Sequence, residues 1–137
     1  MRTKRVLVID DEADIRTVIR GCLEEIAHWD VVTAPSGQDG LHLAAIAQPD
    51  CILLDLSMPG MDGLEVLERL QADAATQAIP VVLLTAKTLA DEQYQQIKSA
   101  IAGFIFKPFD PLLLVDQLTS IFQKYDSVST TQQLDSD

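Results

Sequence analysis

Carboxylates stand at the ends of two apolar runs in this sequence. Asp10 and Asp11 follow the apolar residues 6–9, and Asp55 closes the run "CILLD" before a turn-forming segment, "LSMPGMDG". A buried strand gains nothing from a carboxylate at its tip, because an unpaired charge is costly to remove from water. Carboxylates in such positions are typical of a site that binds a cation or handles phosphate.

Two further apolar runs also end in residues that could take part in chemistry. Thr85 and Ala86 follow the run "VVLL", and Lys107 and Pro108 follow "GFIF". Each has an ordinary explanation by itself: an Asp after a strand commonly caps a helix, a Thr is a normal strand residue, and a Lys is usually a solvated charge. The combination at the ends of four separate runs is harder to explain in this way.

The apolar runs predict strands of a parallel sheet. "RVLVID", "DCILLDL" and "IPVVLLTA" are continuous rather than alternating, as expected of strands covered on both faces. "DVVTA" and "GFIFK" are shorter candidates. Amphipathic patterns with three- and four-residue spacing lie between the runs and predict five helices. Strict alternation of five strands and five helices favours an α/β fold with a doubly wound parallel sheet.

This fold brings the candidate residues together. Ligands of open parallel sheets bind outside the carboxyl ends of the strands, where Asp10, Asp11, Asp55, Thr85 and Lys107 would all lie. Crowded carboxylates repel one another and need a cation or protons. Lys107 supplies one positive charge, and the oxygen-only ligand set predicts Mg²⁺ or Mn²⁺ rather than zinc.

Composition limits the functions that this chain could have. The 137 residues suggest one domain, and the net charge of −11 argues against binding to nucleic acid or to an anionic membrane surface. The two cysteines form no metal-ligand pattern. The amino terminus does not resemble a signal peptide, and no run is long enough to span a membrane, so we expect a cytoplasmic protein. Residues 127–137 have no apolar period and are predicted to be a disordered tail.

Four motifs carry a family resemblance. "VLVIDDE", "ILLDLSMPGMDG", "VVLLTA" and "GFIFKPF" occur in this order within about residues 4–124. Together they resemble the receiver domain of two-component response regulators, of the chemotaxis-regulator type. The resemblance implies a receiver domain at residues 1–126. It also implies a flavodoxin-like (βα)5 three-layer sandwich whose five-stranded sheet has the order 2-1-3-4-5.

The resemblance assigns a phosphoacceptor and a metal site. Asp55 would accept a phosphoryl group. Mg²⁺ would be bound by Asp11 directly, by Asp10 through water, by Asp55 and by the backbone carbonyl of Ser57. Lys107 would pair with Asp55 before transfer and with a phosphoryl oxygen afterwards.

The resemblance also implies a conformational switch. Thr85 would donate its hydroxyl to a phosphoryl oxygen, and small Ala86 would leave room for the group. Phe104 would be the aromatic residue that rotates when Thr85 moves, although many family members have a tyrosine at this position. The bond before Pro108 is expected to be cis and to aim Lys107 inward.

The function implied is that of a stand-alone response regulator rather than an enzyme, since it would catalyse only its own phosphorylation and autodephosphorylation. Its donor would be a histidine kinase or histidine phosphotransfer protein, docked around Ile15, Val18, Pro108 and Phe109. Its output would be altered binding to a downstream effector protein, or onward transfer in a phosphorelay. The fourth helix, fifth strand and fifth helix form the face through which it could form a homodimer.

Three alternatives remain open at this point. A degenerate receiver would act as a scaffold without phosphorylation. A haloacid-dehalogenase-like phosphatase also uses a strand-end aspartate with Mg²⁺, but it needs a second acid at the position of Ser57. A flavodoxin would share the sheet order, but the loop after the first strand is acidic rather than rich in Ser, Thr and Gly.

Overall fold

A computed structural model describes the backbone of residues 3–58, 60–86 and 91–135, and the side chains of these residues except for Asp91 and those after residue 125. Strands and helices alternate along the whole described chain. They are β1 (Arg5–Ile9), α1 (Ala13–Glu25), β2 (Asp30–Ala34), α2 (Gly37–Ala47), β3 (Cys51–Asp55), α3 (Gly63–Ala72), β4 (Val81–Thr85), α4 (Asp91–Ile97), β5 (Gly103–Phe106) and α5 (Pro111–Asp135). This alternation confirms the predicted α/β class.

The five strands form one parallel sheet in the order β2-β1-β3-β4-β5. This order confirms the predicted doubly wound, flavodoxin-like topology. The register aligns the carboxyl ends of the central strands: Ile9 pairs with Leu54, Asp55 with Leu84, and Thr85 with Phe106. From β1 the chain crosses to β2 on one side and then to β3 on the other, which leaves a crevice between the ends of β1 and β3.

Two hydrophobic clusters cover the two faces of the sheet. Alternate residues of β1 point to opposite faces, so Val6 and Val8 join the cluster under α1 and α5, whereas Leu7 and Ile9 join the cluster under α2 and α3. Every residue of β3 and β4 is buried. Burial on both faces explains why these strands are continuous apolar runs in the sequence.

The last helix is longer than the sequence predicted. The backbone of α5 continues to Asp135, through most of the segment that was expected to be a disordered tail. No Gly or Pro follows Pro111, so no residue in this stretch breaks the helix. The structure therefore corrects the expected helix end near residue 126, while the division into a domain and a tail stays a prediction.

Among the described helices, none is both long enough and apolar enough to cross a bilayer.

Candidate functional site

The parallel strands bring the predicted site residues to one edge of the sheet. Asp10 directly follows β1, Asp55 ends β3, Thr85 ends β4, and Lys107 directly follows β5. Asp10, Asp55 and Thr85 are buried, with 0 %, 3 % and 1 % of their surface exposed. Residues as far apart in sequence as Asp10 and Lys107 are therefore in direct contact.

Asp10 is held through all of its polar groups. Its amide donates to the carbonyl of Ala34 at 3.2 Å, and its Oδ1 accepts from the amide of Glu12 at 2.9 Å. Its Oδ2 accepts from Lys107 Nζ at 3.0 Å, and its carbonyl accepts from Arg16 Nη1 at 2.7 Å. The buried carboxylate of Asp10 therefore has a fixed position and direction.

Asp55 is held through only one of its carboxylate oxygens. Oδ1 accepts from the amide of Ser57 at 3.3 Å and lies 3.5 Å from Lys107 Nζ. Oδ2 is buried and has no hydrogen-bond partner among the described residues. Burial, followed by the charge of Asp10, raises the pKa of Asp55 to about 6, although Lys107 and the Ser57 amide act in the opposite direction.

Lys107 is the cation at the centre of the site. Its Nζ lies 3.0 Å from Asp10, 3.5 Å from Asp55 and 3.6 Å from Glu12. Burial by itself lowers the pKa of Lys107. The hydrogen bond to Asp10 and the charges of Asp10, Asp55 and Glu12 outweigh this effect and raise its pKa. Lys107 is therefore protonated at neutral pH and cannot balance all the nearby carboxylates alone.

The carboxylates can hold a divalent cation. One oxygen each from Asp10, Asp11 and Asp55 lie within 4.8 Å of one another, and Asp11 is exposed to solvent at the mouth of the cluster. The unpartnered Oδ2 of Asp55 is the kind of atom that a bound cation would satisfy. Because all the donors are carboxylate oxygens, the site fits Mg²⁺ or Mn²⁺. Ser57 lies in the turn after β3, where its backbone could add a further ligand.

The remaining predicted residues surround this cluster. Thr85 ends the strand next to β3, and its carbonyl accepts from the amide of Lys107 at 2.8 Å. Ala86 follows it and is exposed. The peptide bond between Lys107 and Pro108 is cis. The edge of the sheet beside Asp55 therefore carries a buried hydroxyl, an exposed small residue and a lysine.

Phe104 lies in a row of three aromatic rings. Its ring centroid is 5.7 Å from that of Tyr94 and 6.1 Å from that of Phe106. The side chain is partly buried and packs against the cluster under α2 and α3. Phe106 is 64 % exposed. Phe104 therefore connects α4 with the surface of β5.

An apolar groove opens beside the acidic cluster. It has a volume of about 420 Å³ and is lined by Ile15, Val18, Ala86, Lys107, Pro108, Phe109 and Pro111. Its walls come from α1, from the residue that follows β4, and from the loop between β5 and α5 together with the first residue of α5. Lys107 belongs both to the groove and to the acidic cluster, so a partner bound in the groove would lie next to Asp55.

Sequence reasoning missed the role of Arg16. Its guanidinium reaches back from the first turn of α1 to the carbonyl of Asp10. The signal available in the sequence was a cation one helical turn after an acidic loop. That spacing alone does not reveal whether the side chain turns toward the loop or toward solvent.

Comparisons with known proteins agree with this geometry. The family model of the response regulator receiver domain matches residues 6–119. The chain is 36 % identical over 121 residues to the phosphate regulon transcriptional regulatory protein PhoB of Pseudomonas aeruginosa, covering 88 % of this chain and 52 % of that protein. It is 40 % identical over 118 residues to the response regulator PleD of Caulobacter vibrioides, covering 85 % of this chain and 26 % of that protein. The chain thus spans about half of one relative and about a quarter of the other.

Solved structures show the same relationship. The chemotaxis protein CheY4 of Vibrio cholerae superposes with a TM-score of 0.79 at 30 % identity, covering 88 % of this chain and 99 % of that one. The N-terminal domain of a response regulator receiver protein from Methanoculleus marisnigri gives a TM-score of 0.72 at 35 % identity, covering 94 % and 96 %. The family match covers most of the chain. The chain therefore belongs to the response regulator receiver domain family of two-component signalling.

Proposed function

We propose that this chain accepts a phosphoryl group on Asp55 and signals through the resulting change in its surface. The observation that carries this proposal is the difference between the two buried carboxylates. Each carboxylate oxygen of Asp10 accepts a hydrogen bond, whereas Oδ2 of Asp55 is buried and has no hydrogen-bond partner among the described residues. Asp55 is therefore the carboxylate that can present an oxygen to an incoming phosphorus atom.

The residues around Asp55 suit phosphoryl transfer. In the step we propose, an Asp55 oxygen forms a bond to phosphorus as the bond from phosphorus to the donor imidazole nitrogen breaks. The imidazole keeps that electron pair and takes up a proton. Lys107 would leave Asp55 for a phosphoryl oxygen, and Thr85 would donate its hydroxyl to another. Mg²⁺, if held by the nearby carboxylates, would neutralise part of the charge on the transferred group.

Asp10, Asp11, Asp55 and the carbonyl of Ser57 would hold this cation. Their role would be to keep carboxylate oxygens close together beside Lys107. Phosphorylation of Asp55 would replace its one negative charge with about two, so the need for a cation would grow. The proximity of the three carboxylates supports this assignment.

The switch would pass from Thr85 to the aromatic row. If Thr85 moves toward a phosphoryl oxygen, Phe104 can shift between Tyr94 and the space that Thr85 leaves. Phe104 stacks on Phe106, so its movement would alter the surface of α4, β5 and α5. This is a shift between conformations driven by a local charge change.

Two surfaces are available for partners. Receiver domains in general interact with histidine kinases and effectors, and the apolar groove beside Lys107 suits a histidine kinase or a histidine phosphotransfer protein. The face of α4, β5 and α5 exposes apolar side chains, among them Phe106, Leu112 and Leu113. This face would bind an effector protein or a second copy of the chain. Light scattering with and without beryllofluoride tests whether a dimer forms.

Intact mass spectrometry after incubation with acetyl phosphate tests the proposed function. We expect the wild-type chain to gain the mass of one phosphoryl group with Mg²⁺ and not with EDTA, and Asp55→Asn to gain none. Asp62→Asn is the matched control, because Asp62 caps α3 through the amide of Glu65 and Asn caps helices equally well. A chain that never gains the mass with Mg²⁺ would instead be the unphosphorylated scaffold.

A further inference from the structure

Arg16 makes a short contact to the loop that carries two of the proposed metal ligands. It lies in the first turn of α1, is half-buried, and its Nη1 donates to the carbonyl oxygen of Asp10 at 2.7 Å. Neither the family comparison nor the proposed chemistry assigns it a role.

The geometry of the loop indicates what this bond controls. The carbonyl of Asp10 belongs to the peptide plane that joins Asp10 to Asp11, so a donor fixed to this oxygen also fixes the direction in which Asp11 leaves the strand. The amide of Asp10 and both of its carboxylate oxygens are held by other groups. Arg16, which lies in α1, bonds to the remaining polar group of Asp10, its carbonyl oxygen.

The side chain of Glu12 does not replace this contact. Glu12 is the N-cap residue of α1, but its side chain makes no capping hydrogen bond and instead lies 3.6 Å from Lys107. Within the described residues, the link from α1 back to the Asp10 carbonyl is therefore made by the Arg16 guanidinium.

We propose that Arg16 is a positioning residue for cation binding, holding the peptide between Asp10 and Asp11 so that both carboxylates face one point. This inference rests on the proposed function, because it assumes that the cluster binds Mg²⁺. It assigns Arg16 no contact with the cation or with the phosphoryl group.

The electrostatic effect of Arg16 opposes its positioning effect, which makes the proposal decidable. A positive charge near a cation site weakens binding of the cation, so removal of Arg16 through charge alone would tighten Mg²⁺ binding. Loss of positioning would weaken it, and partners that orient metal ligands typically contribute about 10–100-fold in affinity. The two roles therefore predict changes of opposite sign.

The chain contains a matched control one helical turn further on. Arg20 also donates from its guanidinium to a strand carbonyl, that of Val31 at 3.1 Å, and it is more exposed than Arg16. The two arginines make the same kind of bond from the same helix, but only Arg16 bonds to the acidic loop.

Calorimetric titration of Mg²⁺ into four variants tests the proposal. We expect Arg16→Gln to bind Mg²⁺ about tenfold more weakly than wild type and Arg20→Gln to bind it equally well. Arg16→Lys should fall between Arg16→Gln and wild type, because an ammonium keeps the charge and can donate one bond but lacks the planar fork. Asp11→Asn should lose most of the binding.

The possible results separate the inference from the proposed function. Equal or tighter binding by Arg16→Gln, while Asp11→Asn loses affinity, would overturn the role of Arg16 and leave the metal site intact. An equal loss in Arg20→Gln would also overturn it, since the effect would then follow general helix stability. Wild-type chain that binds no Mg²⁺ would overturn both. Urea unfolding of each variant checks that it is folded. If Arg16→Gln does not fold, the comparison of Arg16→Lys with wild type still tests the proposal.

Discussion

At the scale of single residues, the two buried aspartates of the site differ in how their carboxylates are hydrogen-bonded. Asp10 is fixed by hydrogen bonds from Lys107, Arg16 and the Glu12 amide, while Asp55 has a buried oxygen with no hydrogen-bond partner in the part of the chain that the structure describes. A buried, unpaired polar atom costs free energy in the resting state. We interpret this cost as a sign that Asp55 is adapted to bind something rather than to stabilise the fold.

The raised pKa of Asp55 predicts how this residue affects stability. Because its pKa is about 6 when folded and 3.8 ordinarily, the unfolded chain loses its proton first as the pH rises. The stability associated with this carboxyl is thus fully present below about pH 3.8 and is lost as the pH rises through about 6. In EDTA at about pH 7.5, we expect Asp55→Asn to be more stable than wild type by roughly 1–3 kcal/mol.

Urea unfolding at several pH values measures this effect. The advantage of Asp55→Asn should shrink as the pH falls toward about 4, where the wild-type carboxyl is protonated in both states. Asp62→Asn should show no comparable gain at neutral pH. If Asp55→Asn were less stable than wild type in EDTA at neutral pH, the conclusion that the ionised Asp55 carboxylate destabilises the fold would be wrong.

Residue types at strand ends could be predicted from the sequence, because apolar runs identify the strands and a parallel sheet aligns their ends. Asp10, Asp55, Thr85 and Lys107 were all placed in this way. The family resemblance implied the pairing of Lys107 with Asp55, but the hydrogen bonds that hold Asp10 were not predicted, since they depend on side-chain directions set by tertiary contacts. Arg16 is the example: its spacing in the sequence does not reveal that its side chain turns back to the Asp10 carbonyl.

At the scale of elements, the turn between β3 and α3 sets the position of Asp55. The amide of Gly63 donates to the carbonyl of Leu56 at 3.0 Å, so the helix begins directly against the end of the strand. A Cβ on Gly63 would lie 2.5 Å from the Asp55 carbonyl oxygen and 2.6 Å from the Leu56 Cα. These neighbours are backbone atoms, which cannot rotate away as a side chain can.

We therefore expect Gly63→Ala to move the end of β3 away from α3. The substitution should destabilise the chain by about 1–3 kcal/mol and weaken Mg²⁺ binding, because the Asp55 carboxylate moves with its backbone. Gly21→Ala is the control: Gly21 lies within α1, and a Cβ there meets nothing within 4 Å. It should stabilise the chain by about 0.5–1 kcal/mol. Urea unfolding and Mg²⁺ titration of both variants test this, and a Gly63→Ala chain with wild-type stability and affinity would refute it.

Local signals predicted where helices begin better than where they end. Ser36 caps α2 by accepting from the amide of Asp39, and Asp110 directly precedes Pro111, the first residue of α5. Both are residue types that favour the start of a helix. The end of α5 was misplaced because its polar carboxyl-terminal segment contains no residue that stops a helix. A weak apolar period predicts that a helix buries little surface, which is not the same as predicting that the helix ends.

At the scale of the whole molecule, charge and metal binding are coupled. The chain carries a net charge of −11, and its acidic cluster lies at one edge of the sheet. Any salt reduces general repulsion between exposed charges, but only a divalent cation of the right size can be bound by the buried carboxylates. Stability should therefore respond to the identity of the cation and not only to ionic strength.

We expect Mg²⁺ to stabilise the wild-type chain more than NaCl does at equal ionic strength. A Mg²⁺ concentration about ten times the dissociation constant should add about 1.4 kcal/mol to the free energy of unfolding. Asp11→Asn should respond equally to both salts. Thermal or urea unfolding in matched buffers measures the difference, and an identical response of wild type to the two salts would show that the cluster does not bind Mg²⁺.

The most direct test of the account is to locate the phosphoryl group on the chain. After reaction with acetyl phosphate and Mg²⁺, borohydride reduces an aspartyl phosphate to homoserine, and tandem mass spectrometry of the peptides then identifies the converted residue. We predict conversion at Asp55, because its Oδ2 is buried and has no hydrogen-bond partner within the described ranges. Conversion at Asp10 or Asp11 with Asp55 unchanged would contradict the account.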